Sequence, residues 1–194
     1  MFNEKATSSD IASASVDMGG EFKSGARGGG VFTFQCFDKN GNLKWEDSAH
    51  NLVVNVGLKD MNDKYFSGSA YTAAWYLGLV TGPGAGNTYA AGNTMASHAG
   101  WTENTDYSEG VRQTATFGAA TTADPSVISN SASVAVFSMN GTATIAGAFL
   151  SSDDTKGGTT GILFSVSNFT SPGDRAVVSG DTLNVTYTFS LDAA

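Results

Sequence analysis

Apolar and polar residues alternate along much of the chain after residue 30. In residues 31–37 one face carries Phe32, Phe34 and Cys36, and the alternation resumes in residues 43–46 after a turn that contains Asn40-Gly41. Alternation on both sides of an Asn-Gly turn predicts a β-hairpin. Cys36 is expected on the core-facing side of its strand, as an inert small hydrophobe rather than a nucleophile.

The clearest strand pattern lies near the end of the chain. In residues 182–191 five apolar side chains alternate with Thr, Asn and Ser: Leu183, Val185, Tyr187, Phe189 and Leu191. This pattern predicts a half-buried antiparallel strand with its Thr side chains facing outward. Shorter runs predict further strands at residues 74–80, 112–117, 133–139, 142–150 and 161–169. Residues 81–100, rich in Gly, Thr, Asn and Ala, are predicted to form a long loop.

One segment has the spacing of a helix rather than of a strand. Val54, Leu58, Met61 and Tyr65 recur every three or four residues, which predicts one apolar stripe on a helix spanning residues 51–66. Asn51 is the expected N-cap. Gly57 inside this helix costs about 1 kcal/mol relative to Ala and weakens its first turn.

Residues 1–30 differ in composition from the rest of the chain. They are rich in Ser, Ala and Gly, and they contain few large apolar residues, among them Phe2, Ile11, Met18 and Phe22. Such a segment buries little surface, so a flexible N-terminal arm is predicted, either without a task or ordered against a neighbouring subunit. Residues 31–194 are then a single domain. The predicted fold is mainly β: an antiparallel β-sandwich, jelly-roll-like, with one short helix.

Composition narrows the functional classes. Of the 194 residues only 14% are charged, against about 25% in an average domain, and the formal net charge is −8. The sparse charge disfavours a helical bundle, and the acidic balance argues against binding to nucleic acid or to an anionic membrane. There is no apolar run long enough for a membrane span, and the first 17 residues lack the order of a secretory signal. We therefore expect synthesis in a cytoplasm and no intrachain disulfide at the single cysteine.

Few residues are candidates for chemistry. His50, His98 and Cys36 do not have the spacing of a zinc motif, and no cofactor is expected. The glycine-rich residues 82–88 lack the Lys-Ser/Thr ending of a phosphate loop. Asp153 and Asp154 fall short of a calcium site, because two adjacent acids supply too few oxygen ligands.

The densest polar cluster lies in residues 101–109. Glu103, Asp106 and Glu109 could act on a glycosidic bond, and Trp101 and Tyr107 could stack on a sugar. A solvated loop with its aromatic residues anchored in the sandwich is the favoured interpretation. We therefore predict no catalytic, cofactor-binding or metal site and no enzymatic activity, and we keep a glycan-cleaving enzyme that uses Glu103 or Glu109 as a lesser hypothesis.

The order of several segments resembles a known group of proteins. Asn51-Leu52-Val53-Val54-Asn55-Val56-Gly57-Leu58 is followed by Trp75-Tyr76-Leu77-Gly78-Leu79, and Tyr107-Ser108-Glu109-Gly110-Val111-Arg112-Gln113 and Gly180-Asp181-Thr182-Leu183-Asn184-Val185-Thr186-Tyr187 come later. In this order the chain resembles tailed-bacteriophage virion structural proteins over about residues 31–191. The nearest functional analogy is the jelly-roll cement, or head decoration, protein of short-tailed phages.

The resemblance implies a function carried by contact rather than by chemistry. It implies a capsid cement protein that binds the outer surface of the major capsid protein lattice and stabilises the head. It also implies a homo-oligomer, dimer or trimer, made in the host bacterial cytoplasm and located on the virion, with no nucleic-acid or membrane partner. The alternative is a tail, head-fibre or adaptor component that binds host glycans through Trp101, Tyr107 and the loop at residues 81–100.

Overall fold

Antiparallel strand pairing organises the chain. The computed structural model describes residues 26–71, 74–83, 86–170 and 173–193. Within them lie one helix and eleven strands: β1 (Ala26–Phe37), β2 (Leu43–Val53), α1 (Asn55–Phe66), β3 (Tyr76–Thr81), β4 (Glu103–Asn104), β5 (Gln113–Thr114), β6 (Ser126–Ser129), β7 (Ala135–Ser138), β8 (Ala143–Ser151), β9 (Leu163–Ser167), β10 (Arg175–Val177) and β11 (Thr182–Ala193).

Strand β2 belongs to both halves of the structure. Its residues 43–50 pair with β1, whereas Asn51, Leu52 and Val53 pair with β9. On one side, β1 continues to β11, which carries β6 and β7 along its other edge. On the other side, β9 continues to β8 and β3, which are extended by β10, β4 and β5. The mainly β, antiparallel sandwich is therefore confirmed, and its strand order does not close into a barrel.

The predicted alternation sets the core. Along β11 the apolar residues from Leu183 to Phe189 are buried, and the polar residues between them are half-buried. Phe32, Phe34 and Cys36 of β1 lie in the same hydrophobic cluster, so the predicted core-facing position of Cys36 is confirmed. The strand predictions near residues 74–80, 133–139, 142–150 and 161–169 are confirmed as β3, β7, β8 and β9, with shifted ends. Of predicted residues 112–117 only Gln113 and Thr114 form a strand, and β4, β6 and β10 were not predicted.

The predicted boundary at residue 30 is wrong for residues 26–30. They form the first part of β1 and pair with Phe189 to Ala193 of β11. Gly30 is needed there, because a Cβ at this position would lie 2.8 Å from the Thr188 carbonyl oxygen and 2.9 Å from the Tyr187 hydroxyl. Here glycine permits a close approach and does not indicate a loose chain. The rest of the predicted arm, residues 1–25, lies outside the described residues.

The helix begins later than predicted. Asn51 is not its N-cap but a residue of β2, where its amide oxygen accepts a hydrogen bond from the Gly30 N–H (2.7 Å) and its amide nitrogen donates to the Tyr187 hydroxyl (2.8 Å). The N-cap is Val54, whose side chain makes no capping hydrogen bond. The sequence around Asn51 is typical of a helix N-cap, but in the structure its side-chain amide bonds to Gly30 and Tyr187, which are distant in the chain.

The predicted apolar stripe of the helix is also wrong in part. Leu58 and Tyr65 are exposed, and the buried residues within α1 are Gly57 and Asp60. The reason is the close packing of α1 on β9: a Cβ on Gly57 would lie 2.5 Å from the Phe164 carbonyl oxygen. The helix therefore turns its glycine face to the sheet and leaves aromatic residues on its outer side.

Candidate functional site

An open apolar groove lies beside the C-terminal half of α1. It has a volume of about 660 Å³ and also borders the beginning of β1, the end of β11 and β6. Six large apolar side chains form its floor: Met61, Trp75, Phe117, Ile128, Phe164 and Phe189. Phe164 packs edge-on against both Trp75 and Phe189, with ring centroids 5.5 Å and 5.4 Å apart. The floor is therefore an outward continuation of the sandwich core.

Three exposed aromatic side chains form what we call the aromatic rim of this groove. Tyr65, Phe66 and Tyr71 line the groove and are 84%, 78% and 79% exposed. Tyr65 and Phe66 contact each other edge-on, with ring centroids 4.9 Å apart. Large exposed apolar patches are typical of contact surfaces, and aromatic residues are enriched in the centres of protein interfaces.

Ion pairs hold the edge of the groove in place. Lys64 forms an ion pair with Asp60 at 2.8 Å, one helical turn away, and its ammonium also donates to the Ala70 carbonyl oxygen at 3.0 Å. The second bond ties the chain that follows α1, including Tyr71, back to the helix. Lys59 and Asp63 form a second i, i+4 pair. The charged residues Lys59, Asp60, Asp63 and Lys64 of the helix thus neutralise one another, and the rim has an apolar rather than a charged character.

The two aromatic residues predicted to stack on a sugar are buried. Trp101 is stacked on His98, with ring centroids 4.1 Å apart, and donates its indole N–H to the Asn93 side-chain oxygen. Tyr107 packs against Phe137, and burial raises the pKa of its hydroxyl. Their expected role as an exposed sugar platform is wrong, whereas their role as anchors in the sandwich is confirmed.

The acids near these aromatic residues are engaged in structural bonds. Glu103 is not a solvated loop residue: it receives two hydrogen bonds from Arg112 (3.0 and 2.7 Å), and both side chains are buried. Glu109 accepts a hydrogen bond from the Ser138 N–H at 3.1 Å, and Asp106 accepts one from the Asn104 amide. Each of these carboxylates therefore has a hydrogen-bond partner within the protein.

The remaining candidate residues are not brought together. His50 lies on β2, His98 lies beside Trp101, and Cys36 is buried near Asp181 and Lys44. Asp153 accepts hydrogen bonds from the Thr155 N–H (2.9 Å) and the Thr160 hydroxyl (2.8 Å), and these bonds lower the pKa of its carboxyl. Among the residues that the structure describes, no three His, Cys, Asp or Glu side chains are grouped so as to hold a metal ion.

The aromatic rim was missed by sequence reasoning. Tyr65 was assigned to the buried stripe of the helix, and its neighbour Phe66 received no role. The sequence carries no signal for their exposure, because adjacent helix positions lie about 100° apart and can share one apolar face.

Comparisons of the chain with protein-family models, with curated proteins and with solved structures find no match. In the described part of the chain, α1 is the one helix, and it is neither long nor apolar enough to cross a membrane.

Proposed function

We propose that this chain is a non-enzymatic decoration protein of a tailed-phage capsid, which binds the outer surface of the major capsid protein lattice through its aromatic rim. The observation that carries the proposal is the exposure of Tyr65, Phe66 and Tyr71 around an apolar groove. The order of sequence segments supports the phage setting, and copies of the chain are expected to associate as a dimer or trimer.

The rim has the composition of a contact site. An aromatic side chain buries about 150–250 Å² when it is fully covered, so three such residues supply much of a small protein interface. On a capsid the same site is repeated many times, and symmetric oligomers bridge symmetric sites with several weak contacts at once. A modest patch on each subunit is then enough for tight attachment.

The rest of the domain has features expected of a protein that reinforces a capsid surface. Long strands form its centre, and Arg112, which precedes β5, ties its own segment to residues 152–160 by hydrogen bonds to the Asp153 and Gly158 carbonyl oxygens. Lys156 adds to the Arg112–Glu103 pair by donating to the carbonyl oxygens of Tyr107 (2.9 Å) and Glu109 (2.7 Å). Its ammonium also lies 4.4 Å from the centre of the Tyr107 ring. These bonds restrain the two segments relative to each other.

The first test is the composition of the virion. Particles of the phage that encodes this chain should contain it in a fixed ratio to the major capsid protein, and it should remain on tailless heads. If the chain is absent from purified virions, the proposal is wrong. If it occurs only with isolated tails, the tail or fibre alternative replaces it.

The second test addresses the rim itself. A Tyr65→Ser, Phe66→Ser, Tyr71→Ser triple variant should co-sediment at least tenfold more weakly with expanded capsids, because central interface aromatics each contribute about 1–2 kcal/mol or more. Leu43→Ser is the matched control: Leu43 is 51% exposed and pairs with Phe37, at the other end of β1 from the groove. If the control weakens binding and the triple variant does not, the capsid contact lies at the hairpin instead.

A further inference from the structure

The groove lies where residues 1–25 join the described body. Ala26, the first described residue, is the first residue of β1 and lines the groove together with Leu191 and Phe189 of β11. Ala26 pairs with Ala193, so the strand that leads away from it is held firmly against β11. Whatever path residue 25 takes, it therefore starts at the edge of the groove.

The sequence before Ala26 contains apolar residues within reach of the floor. Phe22 precedes Ala26 by four residues and Met18 by eight, with Gly and Ser among the residues between them. An extended chain spans at most about 3.3–3.6 Å per residue, so Phe22 lies within about 14 Å of Ala26. Residues 1–25 contain one other phenylalanine, Phe2, which is 24 residues from the strand.

The floor provides an environment that matches a phenyl ring. Trp75, Phe164 and Phe189 already meet in edge-on contacts, and a further ring extends the same packing. The groove volume of about 660 Å³ is within the range of sites that hold several apolar groups. An uncovered groove of this kind leaves partly buried Trp75 and Met61 in contact with water.

We propose that residues 18–25 of the same chain dock into the groove, with Phe22 packed on its floor between α1 and β11. The same copy is the occupant because a tether of only three residues, 23–25, places Phe22 at an effective concentration in the millimolar range or above. A segment from a second copy has no such advantage. Docked in this way, the segment covers the floor, and the aromatic rim stays available to a partner. This inference concerns the isolated protein and does not depend on the capsid proposal.

Photo-crosslinking of the full chain tests the occupant directly. Phe22 is replaced by p-benzoyl-phenylalanine, which keeps an aromatic side chain, and the matched control carries the same replacement at Phe2. We expect position 22 to crosslink to peptides that contain Met61, Trp75 or Phe189, in a product of monomer size whose yield does not change on dilution. Position 2 should give no preferred product at the groove.

Two results would overturn the proposal. A dimer-sized product at position 22 that disappears on dilution means that the groove takes the segment of a second copy. Equal and scattered crosslinking from positions 22 and 2 means that the segment does not dock at all.

A second measurement uses an unmodified groove. A Phe22→Ala variant should increase the fluorescence of an added apolar dye severalfold, and it should increase the quenching of Trp75 by acrylamide, relative to Phe2→Ala. Both variants should keep the native circular dichroism spectrum, because both positions lie before the first strand. Equal dye binding by the two variants contradicts docking through Phe22.

Discussion

The buried Arg112–Glu103 pair should dominate the stability of the loop-bearing side of the sandwich. Arg112 is fully buried, and besides its two bonds to Glu103 it donates to the carbonyl oxygens of Asp153 (2.8 Å) and Gly158 (2.7 Å). Its guanidinium also lies 5.1 Å from the centre of the Phe149 ring. One side chain thus joins two loops that have little strand pairing of their own.

The perturbation is Arg112→Met, which keeps much of the side-chain volume and removes the charge. Glu103 then remains buried and keeps the hydrogen bond from the Gly157 N–H (2.9 Å), and the carbonyl oxygens of Asp153 and Gly158 lose the Arg112 donor. Removing one partner of a buried pair costs about 3–5 kcal/mol. With an m-value of about 2 kcal/mol/M, the urea midpoint should fall by about 2 M.

Two further variants isolate the reason for this loss. Arg175→Met breaks the Arg175–Asp47 pair, whose side chains are 21% and 14% exposed, and should cost less because water can solvate the remaining carboxylate. Adding Glu103→Gln to Arg112→Met removes the orphaned charge. The double variant should therefore be more stable than the sum of the two single losses predicts, by about 1–3 kcal/mol.

The assay is urea unfolding followed by circular dichroism at neutral pH. The reasoning is refuted if Arg112→Met costs no more than Arg175→Met. It is also refuted if the two losses at residues 103 and 112 are strictly additive, because an unpaired buried charge requires coupling between them.

Two further predictions concern a glycine and a thiol. Gly57→Ala should lower the free energy of unfolding by about 1–3 kcal/mol although alanine favours helices, since its Cβ would lie 2.5 Å from the Phe164 carbonyl oxygen. Gly92→Ala, with nothing within 4 Å of the added Cβ, is the control in thermal unfolding and should leave stability unchanged or slightly raised, and equal losses in both variants would contradict the close approach. Burial, and then the Asp181 carboxylate, raise the pKa of the Cys36 thiol from 9.0 to about 11. Above pH 9 the thiol of the unfolded chain loses its proton while the thiol of the folded chain keeps it. The stability that the protonated thiol contributes is therefore complete below pH 9 and is lost as the pH rises through 11. Between pH 8 and 11 the free energy of unfolding, measured by urea titration, should fall by about 2 kcal/mol more in the wild type than in Cys36→Ala. If the two free energies instead change in parallel with pH, the thiol has the same pKa in the folded and unfolded states.

Alternation with a period of two was a reliable guide to the strands. In β11 every second residue from Leu183 to Phe189 is buried, because one face of a paired strand packs on a core and the other does not, whereas Leu191, also predicted on that face, is exposed. Short strands such as β4 and β10 have too few residues to show a period, and they exist only because β3 and β8 offer them a partner. Sequence patterns do not record that kind of pairing.

The helix shows where local patterns fail. The apolar stripe from Val54 to Tyr65 predicts the buried face of α1 on the assumption that the helix packs by its most apolar side. In the structure Gly57 packs closely on the backbone of β9. The buried face of α1 is therefore not the predicted one, and Tyr65 is exposed. The aromatic rim results from this choice of buried face. The choice depends on contact with β9, so the candidate site could not be predicted from the sequence.

Period and composition were enough to predict the β class and the core-facing side of β1 and β11, and the spacing of residues was enough to show that no zinc or phosphate-loop motif is present. The start of β1 at Ala26, the burial of Trp101 and Tyr107, and the pairing of Glu103 with Arg112 became visible in the folded chain alone. These features depend on contacts between residues far apart in the chain. Several of the few charged side chains, including Arg112, Glu103 and Lys156, bind loops together inside the protein. The aromatic rim, in contrast, is an exposed apolar surface.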